Sequence, residues 1–499
     1  MSSTGFQEKA LQNRAAISLI SPTSNERMPV KQRLLDGRQV SVPPHQVAVL
    51  SEQPNIVIVN PQTNTPAAFG GSETFVDFEL PDQLHVVTGL QLAMNLNFSG
   101  ADAAATTAAQ ATTKNAAGAA GWDANGRKIG CGLCPTPYWT TRVEIYAGKD
   151  IIETIYPEAL YNDAIAWRDI QNRREWSEPL NFTADLDTQM TTGNALNLVL
   201  PYRNTDRSDG ITFTPTANST ASTQSSLPTA QFWNNGDGDV VFHLPLACSL
   251  TQGKVFAAGF VVPFKVRVYF APSIRSSLSA LVATGQTPNS DVPAGTATPS
   301  LARAQLWVSE QQLSSVNFEA KLREHRNGNV LYKFIMKNRY QQALPVNGVS
   351  GQQTVQLKAF KSLSAGLVMT LTAPNPGPAD VQTRYPITQA QLLDAVGRRI
   401  TEVQPDRLMR RFVFPRHIAS DYTVYREQYL TPFSSDFGET VRNAVNLGYN
   451  QMTTLEQYQF TIDPATTSAL NASGAMINIH SYDYATLSCN GGVPQVSYT

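Results

Sequence analysis

Short runs of alternating apolar and polar residues recur from about residue 55 to the end of the chain. The clearest run spans residues 261–270 (VVPFKVRVYF), and one of its faces carries Phe264, Val266, Val268 and Phe270. A period of two residues indicates a half-buried β-strand. Because such a strand buries only one face, the chain must form sheets whose apolar sides meet. The pattern therefore predicts an all-β protein.

Similar candidates lie on both sides of this run. Before it, the sequence predicts strands at 55–59, 74–80, 90–98, 140–146, 151–155, 195–200 and 239–246. After it, the sequence predicts strands at 304–308, 316–320, 331–337, 354–359, 367–372, 411–414, 422–425, 457–462 and 475–480. Apolar residues at helical spacing predict short helices at 158–176, 388–403 and 437–447, and the segment 7–20 could form another.

Two series of strands separated by a stretch rich in Ser, Ala, Thr, Pro and Gly indicate two β-domains. We predict an N-terminal arm at 1–53, a first domain at 54–271, a connector at 272–302 and a second domain at 303–499. About eight strands with long loops in each domain fit an antiparallel sandwich of jelly-roll type. We thus expect two consecutive eight-stranded jelly rolls with short flanking helices and long surface loops.

Charge is sparse and nearly balanced. Asp, Glu, Lys and Arg make up 15% of the chain and the net charge is −1, so a surface that coats nucleic acid is not supported. Asn, Gln, Thr and Ser occupy the polar positions instead, and uncharged groups are easier to desolvate in contacts with neighbours. The arm is basic over residues 1–40, which suits either an anionic partner or a solvated tail. No signal peptide or membrane-spanning run is visible, so we expect a soluble product made inside the cell.

No motif for catalysis, cofactor binding or metal binding appears. The six histidines lack metal-ligand spacing, and the sequence lacks HExxH, GxSxG, a Walker loop and GxGxxG. Cys131 and Cys134 form one CxxC pair, which we interpret as ordinary thiols, and Asp237 with Asp239 as a turn. His243 is expected in a core or interface. The predicted catalytic, cofactor and metal residues are therefore none.

Six tryptophans keep one alternative open. Trp122, Trp139, Trp167, Trp176, Trp233 and Trp307 could form a sugar-stacking platform beside a convergent acidic pair, although packing is favoured. A carbohydrate-active or carbohydrate-binding β-sandwich protein is accordingly the alternative function.

Three stretches resemble a known family. They are residues 142–161 (RVEIYAGKDIIETIYPEALY), 242–270 (FHLPLACSLTQGKVFAAGFVVPFKVRVYF) and 355–372 (VQLKAFKSLSAGLVMTLT). In these stretches the chain resembles the double jelly-roll major capsid proteins of icosahedral DNA viruses. This lineage includes the adenovirus hexon and the tailless membrane-containing phages, and the virophage and polinton-like end is the nearest.

The resemblance implies a structural protein of the virion with no catalytic activity and no cofactor. It implies homotrimers of pseudo-hexagonal outline that tile an icosahedral shell and contact neighbouring capsomers, penton proteins and minor capsid proteins. The arm would lie near an internal membrane or the genome, and loops at 100–137, 202–232 and 374–385 would face outward. A third possibility is a capsid or fibre protein with one jelly roll and a projecting domain. Lys265 and Arg267 could lie at the junction of the jelly rolls, between trimer neighbours, or in solvent.

Overall fold

The structure is a computed structural model. It describes residues 30–33, 39–42, 54–62, 68–99, 127–131, 136–163, 241–273, 278–282, 290–291, 298–360, 362–372, 385, 387–417 and 428–498.

Strands make up most of the described chain. In chain order they are β1 (Val30–Arg33), β2 (Gln39–Val42), β3 (Pro54–Val59), β4 (Thr74–Glu79), β5 (Val86–Ser99), β6 (Arg127–Cys131), β7 (Thr140–Ala147), β8 (Asp150–Ile155), β9 (Val241–Pro245), β10 (Phe264–Phe270), β11 (Leu278–Val282), β12 (Ser290–Asp291), β13 (Thr298–Gln311), β14 (Asn329–Leu344), β15 (Gln352–Gln356), β16 (Leu363–Thr372), β17 (Ile387–Leu393), β18 (Gln404–Pro405), β19 (Gln428–Pro432), β20 (Asn450–Gln451), β21 (Gln457–Ile462), β22 (Ala475–Asn490) and β23 (Val493–Tyr498).

Short helices connect the strands. They are α1 (Pro157–Tyr161), α2 (Ser249–Gln252), α3 (Ser315–Asn327), α4 (Asp406–Leu408), α5 (Phe414–His417), α6 (Phe437–Asn443) and α7 (Pro464–Ser473), with 3₁₀ turns at Thr136–Trp139 and Ala257–Gly259 and a π-helical turn at Met409–Val413. Within the described ranges, no helix has the length and apolar character needed to span a membrane.

Two antiparallel four-stranded sheets form the first sandwich. Their strand orders are β4-β10-β7-β8 and β3-β13-β5-β9. Val266 and Val268 of the central strand β10 are fully buried against the facing sheet, whereas Lys265 and Arg267 point to the outer face. The alternation read from the sequence thus sets which side of β10 enters the core, because apolar burial on one side orients the whole strand.

The second sandwich repeats this plan. Its sheets have the orders β14-β22-β16-β19 and β15-β21-β17-β18, and the first of these also contains β20, which pairs with β16, and β23, which pairs with β22. Apart from these two additional strands, each sandwich has eight strands in two antiparallel sheets. This confirms the predicted fold class of two consecutive jelly rolls. A single jelly roll with a projecting domain is excluded.

Two long strands contribute to both hydrophobic cores. Phe334 of β14 and Leu487 of β22 pack into the core of the first sandwich. Ile335 of β14 and Ile477 of β22 pack into the core of the second. The two strands pair along their full length, from Asn329↔Asn490 to Leu344↔Ala475. This pair of strands is shared by both sandwiches, so the two cores meet along it.

The domain boundary predicted at residue 303 needs correction. Strand β13 pairs along its whole length with β5 and, through its second half, with β3, both of which belong to the first sandwich. Residues 303–311 therefore belong to the first sandwich. The predicted connector at 272–302 also contains strands, because β11 pairs with β12 and with β6.

The strand predicted at 316–320 is wrong, because these residues lie in α3. Ser314 caps the helix by accepting a hydrogen bond from the Asn317 amide at 3.4 Å. Seven residues apart, Phe318 and His325 both place their rings 5.2 Å from the ring of Phe256. The apolar contacts thus follow helical spacing, whereas the short run at 316–320 also fits the alternation of a strand.

The helix predicted at 388–403 is also wrong. The segment forms β17, a turn and β18, and Leu392 of β17 is fully buried opposite Tyr458. The Asp394 carboxylate accepts hydrogen bonds from the amides of Val396 and Arg398, which closes the turn. Val396, placed on the apolar face of the predicted helix, is 75% exposed.

The strand predicted at 411–414 is wrong for a similar reason. Met409 and Val413 are buried and Phe412 is exposed, which is the spacing of the π-helical turn that continues into α5. The predicted helix at 158–176 begins as α1, and its remainder beyond Asp163 lies outside the described residues. The helix predicted at 437–447 is confirmed as α6 but ends at Asn443.

Several predictions fall on residues that the structure does not describe. They concern the helix at 7–20, the strands at 195–200 and 422–425 and most of the outward loops. Within the arm, β1 and β2 pair with each other.

Truncation of Phe437 tests the second core. Its ring is fully buried and meets the Tyr482 ring edge-on at 5.1 Å. We expect Phe437→Ala to lower the free energy of unfolding by about 3–5 kcal/mol, because it removes buried apolar area and leaves a cavity. Phe412→Ala, at a side chain that is 56% exposed, is the matched control and should change stability by about 0.5 kcal/mol or less. Urea unfolding of both variants measures this, and equal midpoints would contradict the packing described.

Candidate functional site: the junction and the outer sheet faces

A buried ammonium group lies where the two sandwiches meet. Lys337 of β14 has a fully buried side chain, and its Nζ contacts the carboxylate of Asp163, which follows α1. The same Nζ donates to the carbonyl oxygen of Ala247 at 2.6 Å. Because a buried charge is costly unless it is paired, this contact ties β14 to two segments of the first sandwich.

A second carboxyl group lies close to this pair. Glu153 of β8 is 2% exposed, and its Oε2 accepts a hydrogen bond from the Ser249 amide at 2.7 Å. Its Oε1 has no hydrogen-bond partner among the described residues. Burial raises the pKa of Glu153 to about 7, the Asp163 charge adds to the increase, and the Lys337 charge opposes it. Asp163 thus pairs with the ammonium, while the nearby Glu153 keeps its proton into the neutral range.

A separate group of charges extends the junction along β14 and β22. His480 Nε2 lies 3.7 Å from Glu158 Oε2, and the Arg339 guanidinium lies 3.4 Å from the centre of the Tyr156 ring. Burial opposes the charge of Glu158, but His480 and Arg339 outweigh it and lower the pKa of this carboxyl to about 2. Glu158 therefore stays ionised at the junction.

Neutral side chains complete the contacts between the sandwiches. Gln428 donates to Asn162 Oδ1 at 2.6 Å, and Asn162 lies at hydrogen-bond distance from the Tyr482 hydroxyl. Gln252 of α2 donates to the carbonyl of Val441 at 2.7 Å and accepts from the amide of Ile335 at 3.0 Å. These directional bonds fix one relative orientation of the two halves, which apolar packing alone does not specify.

The outer face of the β4-β10-β7-β8 sheet is charged. Arg267 forms two hydrogen bonds to the Asp77 carboxylate, at 2.6 and 2.8 Å, and Lys265 lies 3.7 Å from the same group. On the neighbouring strand, the Arg142 guanidinium stacks over the Tyr269 ring at 3.5 Å. Lys265 and Arg267 therefore pair within the first sandwich, away from the junction where the sequence suggested they could lie.

The outer face of the β3-β13-β5-β9 sheet is uncharged along β3. Ile56 and Ile58 are 63% and 53% exposed, and Ile58 lies directly opposite Trp307. Trp307 packs edge-on against His243 at 4.9 Å. The Trp307 indole nitrogen and His243 Nδ1 are buried and have no hydrogen-bond partner among the described residues. Neighbouring exposed apolar side chains, such as Ile56 and Ile58, make this face a candidate contact surface.

The outer face of the β15-β21-β17 sheet carries amides and hydroxyls. Gln391 donates to Gln459, and Gln389 donates to the Thr461 hydroxyl at 3.1 Å. Gln459 in turn donates to the Thr354 hydroxyl at 3.4 Å. The corresponding faces of the two sandwiches thus differ in charge, although their strand plans agree.

The structure describes only some of the residues that the sequence suggested for metal binding or sugar stacking. Cys131 ends β6, and Cys134, Asp237 and Asp239 lie outside the described residues. No group of His, Cys, Asp or Glu suited to hold a metal ion occurs within the described ranges. Trp139 is fully buried and Trp307 packs on His243, so neither of the two described tryptophans presents an open stacking platform.

The junction residues carry little signal in the sequence. Lys333 and Lys337 lie on the same face of β14 by the two-residue period, yet Lys333 is exposed and Lys337 is buried. The hint in the sequence of a buried charged group here is Glu153, which lies between Ile152 and Ile155 in a strand.

Comparison with solved structures identifies the fold. The PBCV-1 protein VP54, fitted into a cryo-EM reconstruction of the virophage Sputnik, matches with a TM-score of 0.54 and 12% identity over 90% of this chain and 97% of that chain. A quasi-atomic model of the PBCV-1 virus capsid matches with 0.53 and 12% over 90% and 97%. The cryo-EM structure of the Sputnik virophage matches with 0.52 and 10% over 89% and 88%. This chain therefore has the double jelly-roll fold of these structures.

No protein-family model matches this chain, and no curated protein matches it.

Removal of the buried ammonium tests the junction. We expect Lys337→Met to lower the free energy of unfolding by about 3–5 kcal/mol, because the buried carboxylate of Asp163 then loses the charge that neutralises it. Lys333→Met, at an exposed position of the same strand, is the matched control and should be nearly neutral. Thermal and urea unfolding compare the two, and an equal effect of both substitutions would show that the buried pair contributes nothing.

The raised pKa of Glu153 predicts a specific dependence on pH. The folded protein holds a proton on this group that the unfolded chain releases above its ordinary pKa of 4.5. The resulting stabilisation is present below about pH 4.5 and is lost as the pH rises through about 7, a change of roughly 3 kcal/mol.

We expect Glu153→Gln to remove this dependence, so that the stability difference between wild type and variant changes over that range. Urea unfolding across the range measures it, and Glu402→Gln at an exposed site is the control. Parallel pH profiles of wild type and Glu153→Gln would contradict the assignment.

Proposed function

We propose that this chain is a structural major capsid protein whose homotrimers tile the icosahedral shell of a DNA virus. The observation that carries the proposal is the pair of two-sheet sandwiches joined along the β14–β22 strand pair, the fold shared with the PBCV-1 capsid and Sputnik virophage structures. In this proposal the protein has no catalytic activity and is located in the virion.

Two similar blocks per chain support the proposed geometry. A ring of three chains contains six blocks, which gives a trimer a nearly hexagonal outline, and hexagons tile a surface without gaps. Ring closure requires a contact that joins different surfaces of neighbouring copies. The junction, with its buried charges and directional hydrogen bonds, supports a fixed angle between the blocks, which such a ring needs.

The uncharged face along β3 is our candidate for a contact between copies. Ile56 and Ile58 lie on an edge strand that pairs on one side with β13, within the described residues. By contrast, Ile151 on β8 lies opposite Tyr146, on a face dominated by paired charges that favour water. The chemistry of the first face suits burial against another protein surface.

The division of the chain follows the strand pairing in this proposal. The arm comprises residues 1–53, the first jelly roll extends through Gln311, and the second begins at Asn329. The partners are other capsomers, with penton and minor capsid proteins, and the arm contacts a membrane or genome.

The oligomeric state and outline of the purified protein test the proposal. We expect light scattering to give three times the chain mass of 54.4 kDa, and negative-stain images to show a hexagonal outline. A folded monomer at assembly concentrations would refute the proposal.

Substitution on β3 tests the contact surface. We expect the double variant Ile56→Asp with Ile58→Asp to shift the trimer towards monomer, because the contact would have to bury two charges. Ile151→Asp, which changes an equally exposed isoleucine on the charged face, should leave the trimer intact. Circular dichroism verifies that both variants are folded, and a trimer retained by the β3 variant would exclude this surface.

A further inference from the structure

We propose that Lys337 and Asp163 become joined by an intramolecular isopeptide bond, and that Glu153 transfers protons during its formation. This inference stands apart from the proposed function, because it concerns one chain only. It rests on three buried groups that converge at the junction of the sandwiches.

The nucleophile is already in contact with the carboxyl group of Asp163. Lys337 Nζ contacts Asp163 Oδ2, and the two side chains are 0% and 4% exposed. The Ala247 carbonyl holds the same nitrogen from another direction at 2.6 Å. Fixing two reactants in contact raises the rate of a bond-forming step strongly, because the entropy of bringing them together has been lost during folding.

Exclusion from water favours the forms that react. Away from water, an ion pair loses much of its advantage over a neutral amine beside a neutral carboxylic acid, and one proton transfer within such a pair interconverts the two. Bulk water would instead keep both groups charged. Burial of the pair is therefore part of the chemistry.

Glu153 lies where it can transfer protons during bond formation. The Ser249 amide holds its Oε2 at 2.7 Å, and Ser249 is two residues from Ala247, which holds the lysine. Its Oε1 is buried and unpartnered among the described residues, and burial raises the pKa of this carboxyl to about 7. A carboxyl group of that pKa can both give and accept a proton near neutral pH.

The step balances without any further reagent. The neutral amine of Lys337 attacks Cγ of the protonated Asp163 carboxyl, and the N–C bond forms. The nitrogen releases one proton to Glu153, which returns a proton to the departing hydroxyl. The Cγ–O bond then breaks, one water leaves, and Glu153 ends in its starting state.

The isopeptide bond would cross-link the junction covalently. The bond joins residues 174 positions apart and links the segment after α1 in the first sandwich to the shared strand β14. A cross-link over so long a loop restricts the unfolded chain, as a disulfide does. It does so without cysteine, so it persists under reducing conditions.

Intact-mass spectrometry of the denatured full-length chain tests the proposal. We expect the protein to be lighter than its sequence mass by one water, and a tryptic digest to contain the Lys337 peptide joined to the Asp163 peptide. A chain at full sequence mass, with both peptides separate, would overturn the proposal. Because the chain is denatured, the result does not depend on whether it forms trimers.

Variants separate the chemistry from folding. Asp163→Asn should form the same bond with loss of ammonia, so that it reaches the same final mass as the wild type. Lys337→Met should keep its full mass, whereas Lys333→Met should still lose one water. Glu153→Gln should fold by circular dichroism yet form the bond at least tenfold more slowly after refolding, and a wild-type rate in this variant would remove Glu153 from the mechanism.

Discussion

The burial of Lys337 against the carboxylate of Asp163 is the interaction on which the arrangement of this protein depends. Neither sandwich alone neutralises these two charges, because Asp163 belongs to the first and Lys337 lies on β14, which is shared with the second. An unpaired charge in this environment is strongly destabilising, so the halves are stable together in one orientation. Hydrogen bonds between polar side chains, such as that from Gln428 to Asn162, further restrict this orientation.

Long strands make the junction possible. β14 and β22 pair over sixteen positions, and different parts of each strand pack into different cores. α3 packs beside this strand pair, where His325 forms a 2.5 Å hydrogen bond with the Tyr332 hydroxyl among aromatic rings. Burial lowers the pKa of His325 to about 4, so the ring remains neutral in this apolar setting. The outer faces of the sheets differ in their chemistry. The β4-β10-β7-β8 face is charged, the face along β3 bears exposed isoleucines, and the β15-β21-β17 face bears amides.

Where apolar residues alternate strictly, sequence reasoning located the strands. β10 and β21 are examples, since one side of each is buried without interruption. Sequence reasoning failed where a short run of apolar residues fits both the strand period and the helix period. Residues 316–320 alternate yet lie in α3, and residues 388–403 have helical spacing yet form β17 and a turn. In both places, tertiary contacts with Phe256 or with β21 decide the conformation, because local preferences there are weak.

The sequence by itself determined the all-β class, the presence of two strand series and the buried face of β10, because these follow from a period of two along the chain. Only the tertiary structure decided that β13 belongs to the first sandwich and that Lys337, unlike Lys333, is buried beside Asp163. Pairing partners and charge contacts join residues far apart in sequence, 174 positions in the case of Lys337 and Asp163. A local pattern records whether a side chain faces inward, but not which distant group it meets.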